Sequence, residues 1–164
     1  LSKKMVWETY QYFSQAEKLS IAKVWIPNPI GPLENEDRLL PIFAKMWKKG
    51  ETPKLTVPRL VYDHVPAEWL ANSYVKAVED ILGATTPTEK HYRPSAFVLS
   101  NEELVNRFKG ALEKSLGKKL EYNISEDPNF KLGALRKNSD TCPELKDEKL
   151  VNEFWDSYAN YLST

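Results

Sequence analysis

Asn28 stands between two prolines in Pro27-Asn28-Pro29-Ile30-Gly31-Pro32, directly after the apolar run Ile21 to Ile26. A primary amide offers both donor and acceptor, which suits a sugar hydroxyl or a diphosphate oxygen. The prolines stiffen the loop around it. Read without a ligand, the same turn only ends a strand, with Asn28 capping its own backbone. Arg59 carries a planar guanidinium that suits bidentate binding of a substrate phosphate. Its alternative is a surface ion pair with Asp63, which would contribute little. His64, next to Asp63, reads as a packed or hydrogen-bonded structural imidazole rather than a catalytic one. Ser2-Lys3 and Leu135-Arg136-Lys137 supply further cations, and taken alone each is an ordinary solvated group. Lys45, Lys48 and Lys49 read as the solvated face of a helix. His64 and His91 are the only histidines, and no His-x-x-x-His or Asp cluster supports a metal site.

Other chemistries leave no trace. No Gly-x-Gly-x-x-Gly follows a strand, and there is neither a Walker loop nor a Gly-x-Ser-x-Gly elbow. The chain therefore carries no recognisable phosphate cradle for a cofactor. Its 23 Lys and Arg balance 23 Asp and Glu, which argues against a nucleic-acid partner. Cys142 is the single cysteine, so an intrachain disulfide is impossible and a reducing, cytoplasmic setting is expected. No apolar run reaches the length of a membrane span. The opening LSKKMVWETY has no signal-peptide core and no initiator Met, so a processed or cut end is expected there. The length of 164 residues and a hydrophobic content of 41% suit one domain with a core.

The elements that must position these residues follow from periodicity. Met5, Val6, Tyr10, Phe13 and Ala16 mark one face of a helix over 2–18. Ile21 to Ile26 is too short for a helix before Pro27 and predicts a buried strand. Leu39, Leu40, Phe43, Met46 and Trp47 predict a helix over 37–49, with Pro41 in its first turn and Gly50 at its stop. Two short strands are expected at 54–57 and 60–63, and Pro66 then opens a helix that runs to Gly83. A loop at 84–88 precedes a strand over 91–99. Ser100 and Glu103 form a capping-box pair before a helix ending at Gly117. A strand at 119–124, an irregular stretch over 125–142 and a helix from about Glu148 complete the chain. The order is that of an α/β protein.

The sequence of these features resembles the substrate-binding half of the extended short-chain dehydrogenase/reductases, the NAD(P)-dependent epimerases and dehydratases of nucleotide sugars. In that family a strand ends in Asn-Pro or Asn-Val followed by Gly-Pro, as at Asn28 to Pro32. A later strand end rich in Arg and Asp leads through a Val into a helix, as at Asp63-His64-Val65. The resemblance implies the C-terminal part of a Rossmann-type fold with a small α/β substrate lobe. Residues 1–35 would be the last part of the nucleotide-binding sheet, and 36–164 the substrate lobe and C-terminal elements. It implies that Lys3 is the catalytic lysine, which holds the nicotinamide ribose and tunes a Tyr two residues before Leu1. It implies that Asn28, Arg59 and a late-loop Arg136 hold a nucleotide sugar or similar small molecule. NAD or NADP would serve the full-length parent, and the chain alone is expected to bind none and to be inactive. The family commonly has Arg shortly before the Asn, where this chain has Trp25 and Ile26. A homo-oligomer is expected, because the helix over 2–18 would bare its apolar face. The rival expectation is a non-catalytic, self-associating module of α/β fold.

Overall fold

The computed structural model describes residues 2–164. Leu1, which the resemblance sets just beyond a catalytic Tyr, lies outside the described residues. Helix α1 (Ser2–Ala16) leads into β1 (Ile21–Val24), β2 (Asn28–Ile30) and α2 (Leu39–Lys48). Strand β3 (Lys54–Leu55) and β4 (Val61–Pro66) precede α3 (Ala67–Leu82). Then come β5 (Glu89–Tyr92), β6 (Pro94–Ser95), β7 (Phe97–Ser100) and α4 (Asn101–Leu116). Strands β8 (Asn123–Ile124) and β9 (Asp140–Thr141), a 3-10 turn at Pro143–Lys146 and α5 (Glu148–Ser163) end the chain.

The α/β expectation holds, and the strands are shorter and more numerous than periodicity predicts. The run Ile21 to Ile26 stops as a strand at Val24, and Asn28 opens a separate one. β1 is half-buried along its length, not buried as expected. It runs parallel to β5, in register Ile21 to Glu89 through Val24 to Tyr92. β2 runs parallel to β4, pairing Asn28 with His64, and β4 runs antiparallel to β7. These make a central sheet in the order β2-β4-β7. The expected single strand over 91–99 is three pieces, because Pro94 interrupts it and β6 leaves to pair with β9. Pro66 is the last residue of β4 and the N-cap of α3 rather than its first helical residue.

The core lies between the central sheet and the α4–α5 pair. Phe97, Leu104, Val105, Phe108, Leu112, Trp155 and Tyr158 are all buried in it. Their spacing on α4 and α5 is the i, i+3, i+4 pattern of a helix with one apolar face. Aromatic rings knit the layers: Phe108 meets Tyr158 at 5.4 Å between centroids, and Phe97 stacks on Phe154 at 6.0 Å. By contrast α1 buries no residue at all, and Met5, Val6, Tyr10 and Phe13 stand in solvent.

The start of α4 is fixed by the pair read from the sequence. Ser100 Oγ accepts from the Glu103 amide at 3.2 Å, and Glu103 Oε2 accepts from the Ser100 amide at 2.7 Å. Gly117 ends the helix in a left-handed conformation, φ 63°. Ser100→Ala should lower the stability by about 1 kcal/mol, measured as a shift in the urea midpoint. An unchanged midpoint would mean that the tertiary packing of α4 alone sets its start.

Candidate functional site

A cleft opens beside the start of α2, against β2 and the first half of β4. Ile30, Leu40, Leu55, Leu60 and Leu104 give it apolar walls. Asn28, Thr56, Tyr62, His64 and Asn101 supply uncharged polar groups, and Glu34, Asp37, Arg38 and Lys54 the charged ones. β2 and β4 run parallel, so Asn28 and His64 sit side by side in register in its wall.

A chain of hydrogen bonds crosses the cleft. The Arg38 guanidinium donates to Asn28 Oδ1. That fixes the amide, so Asn28 Nδ2 faces His64 Nδ1, 3.2 Å away. His64 Nδ1 is therefore the acceptor, and the ring proton resides on Nε2. Nε2 is buried and has no hydrogen-bond partner among the described residues. Burial, followed by the Arg38 charge, lowers the His64 pKa to about 4, so the ring is neutral near pH 7. On its other side Arg38 Nε donates to Glu34 Oε1 at 2.7 Å, and the Tyr158 hydroxyl donates to Glu34 Oε2. The Glu34 side chain is only 7% exposed. Burial and the Glu34 carboxylate push the Tyr158 phenol far above its usual range, so it stays a donor. This network orients Asn28: one of its amide protons has no partner among the described residues, while the Nε2 proton of His64 is buried within the protein.

Of the residues singled out from the sequence, Asn28 lines the cleft. It does not cap its own backbone, and it starts β2 rather than ending a buried strand. Arg59 does not line the cleft, and its guanidinium pairs with Glu126 at 2.6 Å on the surface. The alternative, an ion pair between Arg59 and Asp63, does not form either. Asp63 is instead buried and accepts from Ser95 Oγ at 3.1 Å, the Ala96 amide at 3.3 Å and the Asn138 amide at 2.8 Å. Arg136 is exposed two residues before that anchor and does not line the cleft. Lys3 is exposed on α1. Lys45 reaches Glu36 at 3.9 Å, and both side chains are solvated. Among the described residues no group of three His, Cys, Asp or Glu is placed to hold a metal.

Sequence reasoning missed Arg38, Glu34 and Tyr158. The four-residue spacing of Glu34 and Arg38, in the run Glu34-Asn35-Glu36-Asp37-Arg38, was a signal available in the sequence. Tyr158 lies 124 residues from Glu34, and no local pattern links them.

No protein-family model matches the chain, and no curated protein does. Solved structures do. The UDP-N-acetylglucosamine 4-epimerase from Methanobrevibacter ruminantium M1, in complex with UDP-N-acetylmuramic acid, superposes with a TM-score of 0.66 at 13% identity, over 93% of this chain and 49% of that one. The UDP-glucose 4-epimerase from Thermus thermophilus, in complex with NAD, gives 0.61 at 16% identity, over 98% and 52%. The UDP-glucose-4-epimerase from Stenotrophomonas maltophila, with bound NAD and formylated UDP-arabinopyranose, gives 0.62 at 15%, over 96% and 53%. The fold is thus a mixed α/β one that matches the C-terminal part of Rossmann-type epimerases. The chain spans about half the length of these structures.

Proposed function

We propose that the chain is the substrate-binding part of an NAD(P)-dependent epimerase/dehydratase of nucleotide sugars or related hydroxylated compounds, and that it is inactive alone. The supporting observation is Asn28, held in the wall of a cleft by Arg38 and His64. An amide locked in this way is preorganised for a hydroxyl or carbonyl. In this reading residues 1–35 are the last part of a nucleotide-binding sheet, to which β5 returns, and 36–164 are the substrate lobe and C-terminal elements. Lys3 is the lysine that would hold the ribose of NAD or NADP in the full-length parent, at a cytoplasmic location. Arg59 and Arg136 would engage substrate only after leaving their present positions. The residues present do not fit a dinucleotide by themselves, because among the described residues no helix begins in a glycine-rich turn that admits a pyrophosphate.

Two titrations test the reading. NADH fluorescence should show no saturable binding at micromolar concentration, and saturation there would overturn the claim that the chain lacks the cofactor side. A panel of hexoses, polyols and UDP-hexoses should contain a member that shifts the Asn28 side-chain amide in a ¹H–¹⁵N spectrum. If no member does, the cleft is not a substrate site.

The bare face of α1 favours a second reading, a non-catalytic module that self-associates. Met5, Val6, Tyr10 and Phe13 are each at least half exposed, and burying each would contribute roughly 1.5–3 kcal/mol. Light scattering should then report a homo-oligomer, and a monomer at high concentration would remove this reading.

A further inference from the structure

On the reading of the cleft as a substrate site, the amide of Asn28 serves a substrate only while it keeps one orientation. Arg38 sets that orientation by donating to Asn28 Oδ1. Yet Arg38 is a long side chain, 34% exposed, on the residue that precedes α2. Holding such a side chain in one rotamer is costly in entropy, so a second contact has to fix it. Glu34 provides that contact, accepting from Arg38 Nε at 2.7 Å through Oε1. Its other oxygen, Oε2, accepts from the Tyr158 hydroxyl.

Tyr158 is where this chain of contacts reaches the core. It is fully buried, and its ring meets Phe108 at 5.4 Å and Phe154 at 6.0 Å between centroids. A ring in so close-packed an interior keeps one rotamer, which places its hydroxyl at a fixed point. From there a donor faces an acceptor at every step, through Glu34 and Arg38 to Asn28. With Oδ1 accepting from Arg38 and one amide proton facing His64 Nδ1, Asn28 is left with a single proton to donate. The orientation thus makes Asn28 a donor to an acceptor oxygen of a bound molecule.

We infer that Tyr158 is a positioning residue of the cleft. From α5 it holds the Asn28 amide in its donating orientation, acting through Glu34 and Arg38.

Nuclear magnetic resonance of the ligand-free protein tests this. Tyr158→Phe keeps the ring and removes the hydroxyl. The Arg38 Nε proton should then exchange with water roughly tenfold faster, as fits the loss of a hydrogen bond to a charged group. The two Asn28 side-chain amide signals, held apart by the proton that faces His64, should draw together. Leu112→Val loosens the buried α4–α5 core without touching the chain of contacts, and should move neither signal. Unchanged Arg38 exchange and Asn28 signals in Tyr158→Phe overturn the inference. So does an equal change in Leu112→Val, since lost core stability would then be responsible. Glu34→Gln breaks the link from its other end, because it turns one of two acceptor oxygens into a donor. It should reproduce the signature, and unchanged Asn28 signals there overturn the inference even should Tyr158→Phe fail to fold. None of these readouts needs a bound molecule. A panel of sugars and UDP-hexoses that never shifts Asn28 removes the substrate-half reading and leaves the link from Tyr158 to Asn28 standing. A panel member that shifts Asn28 in the wild type, with unchanged ligand-free signals in Tyr158→Phe, does the reverse.

Discussion

Asp63→Ala loses roughly 3 kcal/mol or more of stability in urea denaturation. The buried carboxylate accepts from Ser95, from the Ala96 amide and from the Asn138 amide. Removing it leaves two backbone donors without their acceptor, and each unsatisfied buried group costs about 1–3 kcal/mol. The Ser95 hydroxyl can rotate to another partner, so it adds less. Asp63→Asn keeps one carbonyl oxygen and should lose about half as much. Limited proteolysis gives an independent measure: the Asp63→Ala chain should be cut faster between Ser125 and Lys137. A loss below 1 kcal/mol would mean that water takes over the acceptor role.

Stability falls as the pH drops from about 6.5 towards 4, and His64 is the cause. The folded state holds this ring at about 4 against an ordinary value of 6.5. Between those values the unfolded chain binds a proton that the folded chain refuses, so stability rises with pH. The full effect corresponds to roughly 3 kcal/mol and is complete above pH 6.5. Carboxylates with lowered values, such as Glu113 and Asp80, act in the same direction but over a lower range, below their ordinary values near 4. The comparison that isolates His64 is therefore His64→Gln, which cannot titrate. Its stability should be flat from pH 6.5 to 5 where the wild type declines. Parallel profiles for the two proteins would refute the assignment.

How much of this was legible in the sequence depends on how local each feature is. The capping box at Ser100 and Glu103, the αL stop at Gly117 and the apolar faces of α4 and α5 are set by residues within one or two turns. They appear where periodicity put them. Short strands are another matter. β2 is three residues long and exists because Asn28 to Ile30 pair with His64 to Pro66, more than thirty residues away. Nothing within β2 itself announces that pairing. The site divides in the same way. Asn28 was legible from its proline-bounded turn. Arg59 was not, since a guanidinium on a long stem goes to whichever carboxylate the fold brings near, and Glu126 arrives from 67 residues on. The fate of Asp63 was hidden for a similar reason: its partners come from β6 and from a loop 75 residues later.

The stretch between β8 and β9 has a consequence for engineering. Its entry is pinned where the Ser125 amide donates to the Leu55 carbonyl at 3.0 Å, and its exit where Asn138 meets Asp63, Trp25 and Pro94. Between the pins, residues 126–137 are exposed. The stretch is thus a loop tied at its base, where Glu126 meets Arg59 and the Asp127 amide donates to the Thr56 carbonyl just inside the entry. Doubling the length of such a loop costs only about 0.6 kcal/mol in closure entropy. An epitope tag, a fluorophore attachment segment or a protease site can be spliced in near Gly133 without disturbing the sheet.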